Sequence, residues 1–149
     1  MIGSTASTVQ APLRVLIADD YPDTAESLAL LLSNMRFEVQ IAHDGADAMR
    51  RARVWHPNVC ILDLSMPKAD GRDVASWIHR QSCGPRRPLL IALTGWGRWT
   101  DKQRVSSAGF DYHFVKPAEP LALLALVSAY ASGLVDTRQR HAPDIATDD

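Results

Sequence analysis

Short apolar runs alternate five times with stretches of helical periodicity along this chain, and that alternation permits few architectures. It is the pattern of βα units, in which crossover helices cover both faces of a parallel sheet. The runs read as strands at Arg14–Asp19, Phe37–Ala42, Asn58–Asp63, Leu89–Thr94 and Tyr112–Val115. Pro22 suits a first helical turn, and Leu28, Leu31, Leu32 and Met35 make the apolar stripe of the helix it opens. A second helix has a modest stripe of Ala48, Ala52 and Trp55 and stops before Pro57. A third buries Val74, Trp77 and Ile78, and Gly84-Pro85-Arg86-Arg87-Pro88 forces a turn after it. Thr100 with Gln103 forms a capping box for a fourth helix, which Gly109 stops.

The last helix runs from about Glu119 to Ser132, and from Leu121 through Ala131 it is apolar nearly all round except for Ser128. A helix that covers one sheet face should have a polar back, so part of its outer side is expected to meet a partner, with Leu123 and Leu126 among the contact residues.

At 149 residues and 46% hydrophobic content the chain can bury one sizeable core. A polar tail is expected over residues 1–11, one folded domain over 12–133, and a second disordered tail over 134–149. The formal net charge is −1, and the only clustered bases are short pairs such as Arg50-Arg51 and Arg86-Arg87, so no footprint for nucleic acid is present. The first ten residues lack the basic and apolar regions of a secretory signal, and no segment approaches the ~20 apolar residues of a membrane span. A cytoplasmic protein is expected. Cys60 and Cys83 make no CxxC pair, and Cys60 reads as a small buried thiol inside a strand.

In a doubly wound sheet, ligands bind outside the carboxyl ends of the strands. Asp19 and Asp20 close the first strand here, Asp63 the third, Thr94 the fourth and Lys116 the fifth. Three converging carboxylates repel one another, and a divalent cation relieves that repulsion. Since only oxygen ligands stand at these ends, a hard ion such as Mg²⁺ is favoured over Zn²⁺. An ionised Asp63 can then attack a phosphorus centre and form an acyl phosphate, with the metal and Lys116 neutralising charge and Thr94 donating a hydrogen bond.

Ile17-Ala-Asp-Asp20, Leu62-Asp-Leu-Ser-Met-Pro67, Gly71, Ala92-Leu-Thr-Gly95 and Val115-Lys-Pro117, in this order and spacing, resemble the signature of response-regulator receiver domains over about Arg14 to Ala131. The resemblance implies a flavodoxin-like (βα)₅ fold with strand order 2-1-3-4-5. It also implies that Asp63 is the phosphoacceptor, Asp20 a direct Mg²⁺ ligand, Asp19 a ligand through water and the Ser65 carbonyl the last protein ligand. Lys116 would pair with the phosphoryl group, Pro117 would follow a cis bond, and Thr94 with Gly95 would carry the switch. Where many receivers place Tyr or Phe at the switch, three residues before Lys116, this chain has His113. A second departure is Gly95-Trp-Gly-Arg-Trp99, which places a large ring beside the phosphate site.

The resemblance therefore implies a phosphorelay switch and not an enzyme acting on an outside substrate. Its phosphodonor would be a histidine kinase or a histidine phosphotransfer protein. A second copy or a downstream protein would meet the face built from the fourth helix, fifth strand and last helix. Alternatives are a receiver piece of a hybrid histidine kinase, an aspartyl-phosphate phosphatase, and a flavodoxin-like binding module with no phosphorylation. The phosphatase reading wants a second Asp two residues after the nucleophile, and Ser65 stands there.

Overall fold

The middle strands of a sheet covered on both faces must be apolar at every position, because neither face meets water. The computed structural model, which describes residues 12–66, 68–81, 87–95 and 109–135, meets this requirement through the interior of its three middle strands, with polar Arg14, Asp63 and Thr94 only at strand ends. These are β1 (Arg14–Ala18), β3 (Val59–Asp63) and β4 (Leu89–Thr94), flanked by edge strands β2 (Glu38–Ala42) and β5 (Tyr112–Val115). All five pair in parallel in the order β2-β1-β3-β4-β5, as expected.

Successive strand residues point to opposite faces. Leu16, Ala18, Cys60 and Leu62 accordingly pack on one face under α2 (Gly45–Trp55) and α3 (Gly71–Gln81). Val15, Ile17, Ile61 and Leu93 pack on the other under α1 (Pro22–Asn34) and α4 (Pro120–Ala131). None of the helices among the described residues is long and apolar enough to cross a membrane. The capping box at Thr100, the ring-bearing Trp96 and Trp99, Cys83, the expected tail over 1–11 and residues 136–149 of the tail expected from 134 lie outside the described residues. Leu134 and Val135, placed in that tail by the sequence, still belong to the folded unit: Leu134 bonds back to α4 and Val135 packs against the core.

Two helix faces differ from expectation. In α1 the buried positions are Ala25, Leu28 and Leu32, whereas Leu31 and Met35 are 38% and 40% exposed. Ala25 takes a buried place that the sequence stripe assigned to a larger residue, and Leu31 stands beside Pro120 and Leu123 at the side of the helix. In α4 the expected outward residues Leu123 and Leu126 face the sheet and are buried, and Leu121 is the exposed leucine at 72%. A helix without a charged residue leaves no polarity signal to say which side faces out, so only packing decides. The helix ends in a Schellman motif: Gly133 takes φ 83°, its N–H reaches the Tyr130 carbonyl at 3.1 Å, and the Leu134 N–H reaches Ala129 at 2.8 Å.

At the opposite end of the sheet from the carboxylates, Arg87 and Asp111 form a buried two-pronged ion pair at 2.8 and 3.2 Å. Asp111 also accepts the Leu90 N–H at 2.9 Å, tying β4 to the start of β5. Removing the acid leaves a buried guanidinium without the carboxylate that offsets its charge, so Asp111→Ala should cost about 3–5 kcal/mol. Urea denaturation checks this; a loss below about 1 kcal/mol would show that the pair is not what joins these strands.

Candidate functional site

The strand order reverses at β1, where β2 pairs on one side and β3 on the other, and this reversal opens a crevice at the carboxyl ends of β1 and β3. Backbone bonds just past each strand fix what stands there. The Asp19 N–H reaches the Ala42 carbonyl at 3.0 Å, the Leu64 N–H reaches Leu93 at 2.9 Å, and the Lys116 N–H reaches Thr94 at 2.8 Å. Asp19, Asp63 and Lys116 are thereby aimed from three strands into one space.

Asp19, Asp20 and Asp63 each present a carboxylate oxygen, and these oxygens lie within 4.8 Å of one another. Asp19 and Asp63 are buried, while Asp20 is exposed at the rim. Asp63 Oδ1 accepts the Ser65 N–H at 3.0 Å, and its Oδ2 accepts from Lys116 Nζ at 3.0 Å. Lys116 Nζ also stands 3.4 Å from Asp19 Oδ2, close enough for charge attraction, yet that oxygen has no hydrogen-bond partner. A buried carboxylate oxygen without a hydrogen-bond donor is costly, and one ammonium shared with Asp63 offsets that cost only in part. This orphaned oxygen, in a set of oxygen ligands only, fits a hard divalent cation held by Asp19, Asp20 and Asp63.

Electrostatics follow the geometry. Burial pushes the Asp63 carboxyl above its ordinary range, and the charge of Asp19 adds to that; the Ser65 N–H and Lys116 oppose it without prevailing. Burial alone would lower the Lys116 ammonium, but hydrogen bonding and charge attraction from Asp63, with help from Asp19, outweigh it and hold it above the ordinary lysine range.

Thr94 is buried at the end of β4, its hydroxyl donating to the Phe114 carbonyl at 3.5 Å. The expected cis bond between Lys116 and Pro117 is present. Gly95 is exposed, with nothing within 4 Å of where a side chain would begin. His113 is buried on β5, packed into the protein as a strand residue. Ser65 is exposed between buried Leu64 and Met66. The structure thus brings Asp19, Asp20, Asp63, Ser65 and Lys116 together.

Two features escaped the sequence. His43 Nδ1 lies 3.2 Å from the Asp19 carbonyl oxygen, a contact no motif announces. An apolar groove of 570 Å³ runs between α1 and α4, with Leu28, Leu31, Leu123 and Pro120 in its walls and Lys116 at one end. Leu31 lines it from the side of α1, a position that depends on packing.

A family profile described as response regulator receiver domain matches residues 15–128. The uncharacterized 14.6 kDa protein in the sodA1 3′ region of Leptolyngbya boryana is 31% identical over 120 residues, which cover 80% of this chain and 91% of that protein. The probable transcriptional regulator ycf27 of Galdieria sulphuraria is 37% identical over 114 residues, 76% of this chain but 43% of that protein. The chain spans about half the length of several such relatives. Among solved structures, the receiver domain of Saccharomyces cerevisiae Ssk1, crystallised with the histidine phosphotransfer protein Ypd1, superposes with a TM-score of 0.74 at 19% identity, covering 88% of this chain and 99% of that one.

The raised Asp63 carboxyl carries a consequence for stability. A carboxyl whose folded-state value lies above its unfolded value binds its proton more tightly when folded, so the contribution of Asp63 to stability is fully present below about pH 4 and is lost as pH rises through the folded-state value. Asp63→Asn should therefore be more stable than wild type at pH 7 in a chelating buffer, with the difference closing below about pH 4. A variant less stable than wild type at pH 7 would show that the Lys116 contact outweighs burial and repulsion.

Proposed function

The chain belongs to the response regulator receiver family, and on that premise we propose that it accepts a phosphoryl group on Asp63 from a phosphohistidine in a Mg²⁺-dependent transfer. One observation carries the reading: Asp63 is the buried strand-end carboxylate that an ammonium and two further carboxylates face. Asp19, Asp20 and Asp63, with the Ser65 carbonyl, are the residues that would hold Mg²⁺. When bound, the ion offsets the charge of the carboxylates and of the phosphoryl oxygens.

The Asp63 carboxylate attacks phosphorus, the bond from phosphorus to the donor's imidazole nitrogen breaks, and the electron pair stays with the imidazole. An acyl phosphate remains on Asp63. Lys116 already lies against the Asp63 oxygen at 3.0 Å and can follow the charge onto a phosphoryl oxygen with little movement. Thr94 exchanges its long bond to Phe114 for a phosphoryl oxygen, and this exchange, felt through Gly95 and beside His113, reports the modification.

The donor is a histidine kinase or a histidine phosphotransfer protein, a reading supported by the Ssk1 receiver having been crystallised with one. The groove between α1 and α4 gives such a donor an apolar seat next to the acceptor, since Lys116 lines both. Output passes by protein contact, through a second copy or a downstream protein, with exposed Leu121 of α4 taking the place expected of Leu123 and Leu126. We place the protein in the cytoplasm with its donor.

Incubation with acetyl phosphate and Mg²⁺ should label the wild type, and Asp63→Asn or excess EDTA should abolish the label. Asp20→Ala and Asp19→Ala should each weaken Mg²⁺ binding. Undiminished labelling of Asp63→Asn, or labelling that ignores EDTA, would overturn the assignment.

A further inference from the structure

The loop after Asp63 is held from two sides by glycines, and one of them belongs to a different element. Asp70 caps α3 by accepting the N–H groups of Arg72 and Asp73 at 2.9 and 3.1 Å. At Gly71 an added Cβ would lie 2.5 Å from the Asp63 carbonyl oxygen. Opposite, at Gly45, the first residue of α2, an added Cβ would lie 1.9 Å from the Ala69 carbonyl oxygen and 2.6 Å from both its carbonyl carbon and Cβ. The nearest atoms are backbone, so no rotamer change relieves the overlap. Beside this contact Asp44 caps α2, accepting the Asp47 N–H at 2.7 Å, and its Oδ2 stands 3.6 Å from Nζ of Lys68, a residue held at φ 72°.

We propose that Gly45 is a positioning residue for the acceptor loop. The bare backbone at the start of α2 is the seat on which residues 68–70 rest, so the loop that carries Ser65 beside Asp63 is located by a helix that supplies no ligand. The proposal rests on the Mg²⁺ site formed by Asp19, Asp20, Asp63 and Ser65. A merely local role for Gly45 predicts the opposite sign for its replacement, because Ala is the better helix former and should strengthen α2.

The test is Gly45→Ala in the full chain, with Mg²⁺ affinity by calorimetry, circular dichroism, and amide hydrogen exchange with and without Mg²⁺. The folded variant should bind Mg²⁺ about 10- to 100-fold more weakly, the range found when groups supporting metal ligands are disturbed. Ala46→Gly, at the exposed neighbouring position, should bind as wild type does. In the wild type, Mg²⁺ should slow exchange at residues 45–48 as well as at 64–71. A folded Gly45→Ala with wild-type affinity overturns the proposal alone, as does protection confined to 64–71, which decides the matter even if the variant fails to fold. A wild type that binds no Mg²⁺ overturns the reading of the site and the proposal with it.

Discussion

The ammonium of Lys116, 3.0 Å from Asp63 and 3.4 Å from Asp19, is the interaction on which the carboxyl end of this sheet depends. Two buried carboxylates and a third at the rim would otherwise repel across a space of a few ångström. One cation cannot satisfy three acids, and the orphaned Asp19 Oδ2 records the deficit. The site therefore carries negative charge that the proposed divalent ion and phosphoryl group would have to share with Lys116.

That tension is affordable only because the rest of the sheet is plain. β1, β3 and β4 are buried on both faces by aliphatic side chains, and their ladders continue to the residues that carry the site. The far end is clamped by the Arg87–Asp111 pair, so charge is matched there and unmatched at the crevice. Placing poorly solvated charge at one end of a rigid apolar layer aims it while limiting the motion that would let it relax.

Much of this was legible in the chain. The five runs marked the strands to within a residue; the three middle strands are unmistakable because burial on both faces makes their interiors apolar, and the edge strands β2 and β5 were marked by their place in the alternation. The meeting of Asp19, Asp63, Thr94 and Lys116 was legible because parallel topology brings strand ends together, which makes them neighbours despite their separation in sequence. Side-chain orientation on the helices was not. α4 carries no charge to break its symmetry, so Leu123, Leu126 and Leu121 are equivalent until the sheet chooses among them. The sideways turn of Leu31 and the seat at Gly45 also depend on how closely two elements approach, a quantity that periodicity does not encode.

The central claim is that an acyl phosphate forms at one carboxylate in a metal-dependent step. Borohydride reduces an acyl phosphate to an alcohol and so converts a phosphorylated aspartate into homoserine, which tandem mass spectrometry can place in the sequence. After phosphorylation with Mg²⁺ and reduction, homoserine is predicted at position 63 and nowhere else, and its yield should vanish with EDTA. Homoserine at Asp19 or Asp20, or an equal yield at position 63 without divalent metal, would contradict this account of the site.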